Sequence, residues 1–149
     1  MFNARMKTLA KHTEPTILQF LESAAELERR LDRALSFTRG VSFSEYRMLL
    51  ALSSGPESGL PRIELANSVG LTASAVTRAL KPLEKIGLIE TQKSERDARQ
   101  SLAALTDAGR ELLRDASGIL QDVYREFPIN ELSSTRISEF KTRLSEFRK

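Results

Sequence analysis

The segment formed by residues 71–106 constrains the fold more than any other part of the chain. Its first half, residues 72–86, places apolar side chains at helical spacing, with polar and basic side chains on the opposite side. Gly87 and a short apolar run follow, and the charged residues 93–99 separate this run from a second strand-like piece at residues 101–105. The sequence therefore predicts a helix followed by a two-stranded hairpin with a charged tip.

A shorter helix is predicted just before this segment. Pro61 suits its first position, Gly70 suits its C-terminal cap, and Thr72 suits the N-cap of the helix that follows. Pro82 predicts a bend in that second helix. The side chains predicted to be buried are Ile63, Leu65, Ala66 and Val69 in the first helix and Val76, Leu80, Leu83 and Ile86 in the second.

Two helices joined by a few residues, with glycine at the joint, are typical of a helix-turn-helix. The hairpin that follows adds a wing. A winged helix-turn-helix places one helix in the major groove of DNA and a basic hairpin against the backbone or minor groove. The predicted fold class is therefore mainly α with a small antiparallel β wing (α+β).

Long amphipathic helices are predicted on both sides of this head. Residues 15–37 carry apolar side chains at helical spacing, and residues 42–45 form a capping box at the start of the next helix. A further helix is predicted over residues 106–127, and Asn130 suits the N-cap of a final helix. Residues 1–15 are predicted to be loosely ordered.

The flanking helices carry more apolar surface than one small head can cover. We therefore predict that they pack against their copies in a second chain as a C₂ homodimer. Intramolecular packing as a monomeric bundle is the alternative. The predicted organisation is one unit over residues 1–149, with a DNA-binding head at 42–109 and a dimerisation region at 15–38 and 110–149.

Composition limits the chemistry of the chain. With no cysteine and one histidine, His12, disulfides, thiolate metal sites and a His-rich metal site are excluded, and no cofactor is predicted. No apolar run approaches the roughly 18 residues that a membrane-spanning helix needs. The N-terminus lacks the apolar core of a secretory signal, so we expect a cytoplasmic protein with no membrane partner. The net charge of +3 suits an anionic partner but is weak evidence by itself.

Seven residues of the helix-turn-helix are predicted to contact double-stranded DNA: Arg62, Thr72, Ser74, Ala75, Thr77, Arg78 and Lys81. Arg78 can donate twice to guanine, short polar residues let the helix approach the bases, and Ala75 can touch a thymine methyl group. Thr72 beside the helix N-terminus suits a phosphate, and Lys81 and Arg62 are phosphate candidates only. Taken one at a time, these are equally well read as ordinary exposed residues of a surface helix.

The charged tip of the hairpin is more informative. Arg96, Asp97 and Arg99 are crowded into the predicted turn, where Asp97 can hold Arg99 or the turn backbone. A fixed arginine suits the minor groove, whose negative potential rises where A·T tracts narrow it. The alternative is a solvated hairpin with an ion pair of little energetic value. Helix and wing together, at this separation, favour DNA binding.

Several short motifs occur together in the head: Ile63-Glu64-Leu65-Ala66, Gly70-Leu71-Thr72, Val76-Thr77-Arg78, Leu83-Glu84-Lys85-Ile86-Gly87-Leu88-Ile89, Asp97-Ala98-Arg99 and Leu105-Thr106-Asp107-Ala108-Gly109. With these motifs, residues 42–109 resemble the MarR family of winged-helix regulators, and the flanking helices fit as well. The Asp-x-Arg wing followed by Leu-Thr-x-x-Gly is the most specific combination, although each motif alone is weak.

This resemblance implies homodimers that bind palindromic operators, with the second helix of the head in the major groove and Arg99 in the minor groove. It also implies a dimer interface built from the terminal helices. Many members are repressors released by small, often aromatic or anionic, ligands in a cleft between head and dimerisation helices. Glu95 departs from the pattern because phosphate would repel it, which predicts modest affinity. The absence of cysteine excludes the peroxide-sensing branch.

A site for such a ligand is predicted where the first long helix meets the next. Its members are Phe37, Arg39, Phe43, Tyr46 and Met48. An aromatic wall with one arginine can hold an aromatic carboxylate. The alternative is that the aromatic side chains belong to the core and that Arg39 is solvated.

Two other functions are compatible with parts of the sequence. Ser138 and Lys141 match the Ser-x-x-Lys pattern, in which a lysine activates a serine nucleophile, but they lie on an amphipathic helix without a partner motif. The chain is therefore not predicted to be an enzyme. A winged helix used for protein–protein binding is the remaining alternative, although it would not need Arg99 or an exposed Thr77-Arg78 edge.

Overall fold

The computed structural model describes residues 2–94 and 100–146, and the side chains of residues 14–94, 100–129 and 131–146. The elements are, in chain order, α1 (Phe2–Arg39), α2 (Phe43–Ser53), β1 (Leu60–Pro61), α3 (Arg62–Val69), α4 (Ala73–Lys85), β2 (Ile89–Lys93), β3 (Ser101–Leu105), α5 (Asp107–Arg125), a short 3-10 helix (Pro128–Glu131) and α6 (Ser134–Glu146). The predicted fold class, mainly helical with a small antiparallel sheet, is confirmed.

The sheet contains a strand that the sequence did not predict. Its order is β1-β3-β2, both pairings are antiparallel, and β2 with β3 forms the predicted wing hairpin. In β1, Leu60 pairs with Ala103, and Pro61 is both the last strand residue and the N-cap of α3. The placement of Pro61 at the first helical position is therefore wrong by one residue. Proline suits this edge strand because it supplies no amide hydrogen to the ladder.

Helices α3 and α4 form the predicted helix-turn-helix. Gly70 adopts a φ of 73° at the end of α3, a left-handed conformation that glycine adopts without steric cost. The Thr72 hydroxyl accepts a hydrogen bond from the Ala75 amide at 3.2 Å and so caps α4. Helix α4 then runs without interruption through Pro82 to Lys85. These local signals fix how α4 leaves the turn.

Burial in the two helices follows the prediction except at two isoleucines. The buried side chains are Leu65, Ala66, Val69, Val76, Leu80 and Leu83. Ile63 and Ile86 are 64% and 60% exposed, so their predicted burial is wrong. Ile63 lies two residues before Leu65, about 200° around the helix, and therefore faces away from the core. Ile86 follows the last residue of α4 as its C-cap and has left the helical stripe.

One continuous core joins the head to the helices on either side. Its fully buried members include Leu35, Val41, Met48, Leu49, Leu65, Val76, Leu83, Ala103, Ala116 and Leu120. The carboxylate of Asp32 on α1 also accepts the amide hydrogen of Phe43, the first residue of α2, at 2.8 Å. Beside it, the predicted capping box is confirmed by reciprocal bonds between Ser42 and Glu45. The C-terminal part of α1 is thus fixed to the head.

The N-terminal segment differs from the prediction. Residues 1–15 were expected to be loosely ordered, whereas α1 begins at Phe2 and includes Pro15. Residues 2–14 are rich in alanine, lysine, arginine, methionine and leucine, all of which favour the helix. Pro15 removes one backbone hydrogen bond without ending the helix.

The final helix also begins later than predicted. Asn130 lies within the 3-10 helix Pro128–Glu131 and does not cap α6. Ser133 precedes α6 instead, and its hydroxyl accepts a hydrogen bond from the Arg136 amide at 3.4 Å. Serine and asparagine are both favoured caps, so the residue types alone did not distinguish the two positions.

Thr106 joins three elements at the base of the wing. Its hydroxyl accepts a hydrogen bond from the Gly109 amide at 3.1 Å, which caps α5, and donates one to the Gly87 carbonyl at 2.6 Å. Its amide donates to the Leu88 carbonyl at 3.2 Å. Gly109 packs so closely that a β-carbon there would overlap the Leu88 carbonyl oxygen. The Leu-Thr-x-x-Gly motif therefore fixes the start of α5 against the end of α4.

Replacing Thr106 with valine should lower the free energy of unfolding by about 1–2 kcal/mol, because the variant loses an N-cap and a second hydrogen bond. Thermal and urea unfolding would measure the change. Thr142→Val is the matched control, since among the described residues the exposed Thr142 hydroxyl bonds only to the Ser138 carbonyl of its own helix. Equal losses in the two variants would contradict the proposed contribution of Thr106.

Candidate nucleic-acid interface

Helix α4 has one buried and one open face. Val76, Leu80 and Leu83 are buried, whereas Ser74, Arg78 and Lys81 are exposed on the opposite side. Residues 74, 77, 78 and 81 follow helical spacing and therefore form one continuous polar strip. Within the described ranges 2–94 and 100–146, Ser74, Arg78 and Lys81 make no side-chain hydrogen bond or ion pair. Their donors are available to an external partner.

Thr72 and Thr77 differ in whether their hydroxyl groups can donate or accept a hydrogen bond toward DNA. The Thr72 hydroxyl accepts from the Ala75 amide, so its proton remains available to donate to a phosphate. The Thr77 hydroxyl donates to the Ala73 carbonyl at 2.9 Å, so toward DNA it can only accept, as from an adenine or cytosine amino group. Ala75 is half-buried, which leaves its methyl group only partly accessible.

The wing is described up to the base of its tip. Strands β2 and β3 pair in register from Ile89 with Leu105 to Lys93 with Ser101, and the Ser94 amide donates to the Gln100 carbonyl at 3.0 Å. Arg96, Asp97 and Arg99 lie outside the described residues, so the minor-groove assignment stays a prediction.

Arg62 occupies a different environment from the other predicted DNA contacts. It is half-buried at the start of α3, and its Nη2 donates to the Thr91 hydroxyl on β2 at 3.4 Å. Its Nε is buried and has no acceptor among the side chains and backbone atoms that the structure describes. The sequence could not reveal this contact, because Thr91 lies 29 positions away in the chain.

The residues of the predicted ligand site do not all come together. Phe43 and Tyr46 stack with ring centroids 6.2 Å apart, but Phe37 is 95% exposed and is not part of that wall. Arg39 forms an ion pair with Asp115 on α5 at 3.0 Å, while its side chain remains 40% exposed. Met48 is fully buried in the core.

The site also includes a tyrosine that sequence reasoning missed. Burial raises the pKa of the Tyr46 hydroxyl, and partial desolvation together with the nearby Tyr46 raises that of Tyr124. Both hydroxyls therefore remain protonated donors at neutral pH. Tyr124 lies on α5, far from Tyr46 in the chain, so no local signal linked it to α2.

An apolar groove lies between α1, the 3-10 helix and α6. Its volume is about 540 Å³, and its lining includes Phe20, Leu27, Phe127, Pro128, Leu132 and Phe140. Phe20 and Phe140 meet edge to face with ring centroids 6.0 Å apart. On the same two helices, Ile17, Leu18, Leu21 and Leu144 are exposed, and α6 buries none of its residues Ser134–Glu146. A substantial apolar surface on the terminal helices thus remains open.

A helix-turn-helix with a two-stranded wing and an open polar strip on its second helix defines a winged-helix DNA-binding protein. The model of the MarR family matches residues 39–100 of the chain. This match supports a transcriptional regulator, and the regulators of the MarR family are non-enzymatic.

Similar proteins agree with this assignment. The chain is 29% identical over 110 residues to the transcriptional regulator AdcR of Streptococcus pneumoniae, covering 74% of this chain and 73% of AdcR. It is 30% identical over 97 residues to the regulator YdgJ of Bacillus subtilis, of which it spans 58%. The MarR-family regulator Sco3205 of Streptomyces coelicolor, solved in complex with DNA, is 29% identical with a TM-score of 0.82, covering 90% of this chain and 84% of that one.

Two other kinds of site are absent from the described residues. None of their helices is long and apolar enough to cross a membrane. Across residues 2–94 and 100–146, no group of three or more His, Asp or Glu side chains is placed to hold a metal ion.

Proposed function

We propose that the chain is a homodimeric repressor that binds a palindromic operator through α4 and the wing. The observation that carries this proposal is the polar strip of Ser74, Thr77, Arg78 and Lys81 on the side of α4 opposite the buried Val76, Leu80 and Leu83. A helix that keeps an arginine exposed and unpaired beside short polar residues has the chemistry needed to read base edges in a major groove.

The proposed DNA interface divides into reading and positioning contacts. Arg78 and Thr77 read bases, with Ser74 and Ala75 allowing close approach, while Thr72 and Lys81 contact phosphates. In the wing, Asp97 holds Arg99 for the minor groove, and Arg96 adds a phosphate contact. The structure of Sco3205 in complex with DNA supports DNA as the partner of this chain.

Dimerisation through the terminal helices is supported by their open apolar surface. The groove lined by Phe20 and Phe140 and the exposed side chains of Ile17 and Leu21 on α1 are both apolar. Together they form a larger apolar surface than the single exposed apolar residues that are normal on a monomer. Packing against a second copy about a twofold axis would bury it. Such a dimer would present its two α4 helices to half-sites about one helical turn, roughly 10 base pairs, apart.

An aromatic or anionic effector would act where α1, α2 and α5 meet. Stacked Phe43 and Tyr46 offer an apolar wall, and Arg39 offers a cation. Because Arg39 already pairs with Asp115, a ligand carboxylate must compete with that carboxylate for the guanidinium. Binding would therefore break the ion pair between Arg39 on α1 and Asp115 on α5. Losing this contact between the two helices would allow the ligand to shift the head.

A salt series of gel shifts tests the DNA-binding proposal. Affinity for DNA should fall steeply as salt rises, because each phosphate contact releases counterions. Selection from random duplexes should then yield a palindrome. If the dimer binds no duplex at low salt, the DNA-binding proposal fails, and a winged helix for protein–protein contacts becomes the better explanation.

A further inference from the structure

We propose that Arg62 is a positioning residue that holds the wing through Thr91, and not a phosphate contact. This inference rests on the proposed DNA-binding function, because it concerns how the wing is presented to the duplex. It replaces the role that the sequence predicts for Arg62.

The sheet register explains how this contact is made. Leu60 pairs with Ala103 and Ala103 pairs with Thr91, so the three residues form one row across β1, β3 and β2. Arg62 follows β1 directly, and its side chain bridges from one edge of the sheet to the other, a separation of about 10 Å for two strand spacings. Side chains alternate along a strand, so Thr91 lies on the same face of β2 as the buried Ile89.

Strand β2 needs support at this point. It is an edge strand, and of its five residues only Ile89 is buried. Beyond Ile89, neighbouring β3 holds it on one side, and the Arg62 hydrogen bond ties its exposed half to α3. A bond at Thr91 therefore limits how far the hairpin can tilt relative to the helix-turn-helix.

The environment of Arg62 fits this role better than phosphate binding. Its Nε is buried without an acceptor in the described structure, and its side chain is half-buried, whereas Lys81 is exposed. Moving the guanidinium out to a phosphate would break its hydrogen bond to the Thr91 hydroxyl. Lysine could supply a positive charge here, but it lacks the planar set of donors with which the guanidinium bonds the Thr91 hydroxyl.

The test is a double-mutant cycle in the full-length protein, measured as affinity for a long duplex of random sequence at low salt. Arg62→Gln and Thr91→Val should each weaken binding by about three- to tenfold, the size of one net hydrogen bond. The double variant should bind no more weakly than Arg62→Gln alone. Arg62→Lys should not restore wild-type affinity. Arg125→Gln, which removes an exposed charge at the end of α5, should leave affinity unchanged.

Amide hydrogen exchange supplies a second readout that needs no DNA. Exchange at residues 91–93 should accelerate several-fold in Arg62→Gln and Thr91→Val, with thermal unfolding confirming that both variants are folded. If Arg62→Lys binds like wild type and Thr91→Val has no effect, Arg62 contacts phosphate and the inference is wrong. Unchanged exchange in both variants would also overturn it. If the wild type binds no DNA, the proposed function fails, and the exchange data alone decide whether Arg62 holds the wing.

Discussion

Replacing both Phe20 and Phe140 with glutamate should convert the protein to a monomer and weaken operator binding by about 10²–10⁴-fold. Each half-site is bound weakly by one head, and the dimer makes the second contact effectively intramolecular. The two rings meet within the apolar groove of α1 and α6, so carboxylates there would be desolvated on association. Sedimentation equilibrium would report the oligomeric state, and gel shifts on a selected operator would report affinity.

Leu50→Glu is the matched control for this experiment. Leu50 is 46% exposed on α2 and lines a different groove, so the same kind of substitution should leave the dimer intact. Circular dichroism should show that the heads of all variants remain folded. A double variant that stays dimeric would show that the open face of the terminal helices is not the interface.

Replacing Arg78 with alanine should relax base preference at one position in each half-site and cost about 1–3 kcal/mol of binding free energy there. Arg78 is exposed on the strip of α4, without an intramolecular partner among the described residues, so the substitution removes no internal contact. Binding to operator variants mutated one base pair at a time would measure the change.

Lys81→Ala provides the contrast for Arg78→Ala. Lys81 lies one turn further along the same strip, and as a phosphate contact it should lose affinity equally for every sequence. The slope of log affinity against log salt should also fall by about one. If Arg78→Ala behaves in this way too, the arginine touches phosphate, and base reading belongs to other residues of α4.

The features that were predictable from sequence are those encoded over three or four residues. The caps at Ser42, Thr72 and Thr106 and the left-handed Gly70 depend on a side chain and an amide close together in the chain. Hydrophobic periodicity likewise identified α4, because a helix repeats its facing residues every turn. These signals were sufficient for the helix-turn-helix and the wing.

The features that were not predictable depend on residues distant in the chain. Strand β1 is two residues long and is defined by its pairing with β3 rather than by its own sequence. The bond from Arg62 to Thr91 and the ion pair of Arg39 with Asp115 join residues that only the tertiary fold brings together. Phe37 was predicted to belong to the ligand site because it lies close in sequence to Arg39 and Phe43, but its side chain faces solvent.

The unbroken course of α1 has a mechanical consequence. Its 38 residues span about 57 Å, and the part from Phe20, in the apolar groove, to Asp32, which bonds the head, covers about 18 Å of that length. No flexible joint therefore separates the proposed interface from the head. In the proposed dimer, a tilt of α1 by about 5° where the copies meet would displace its Asp32 end by roughly 1.5 Å. A rigid α1 would then set the distance between the two α4 helices, and so the spacing of the half-sites that the dimer can bind.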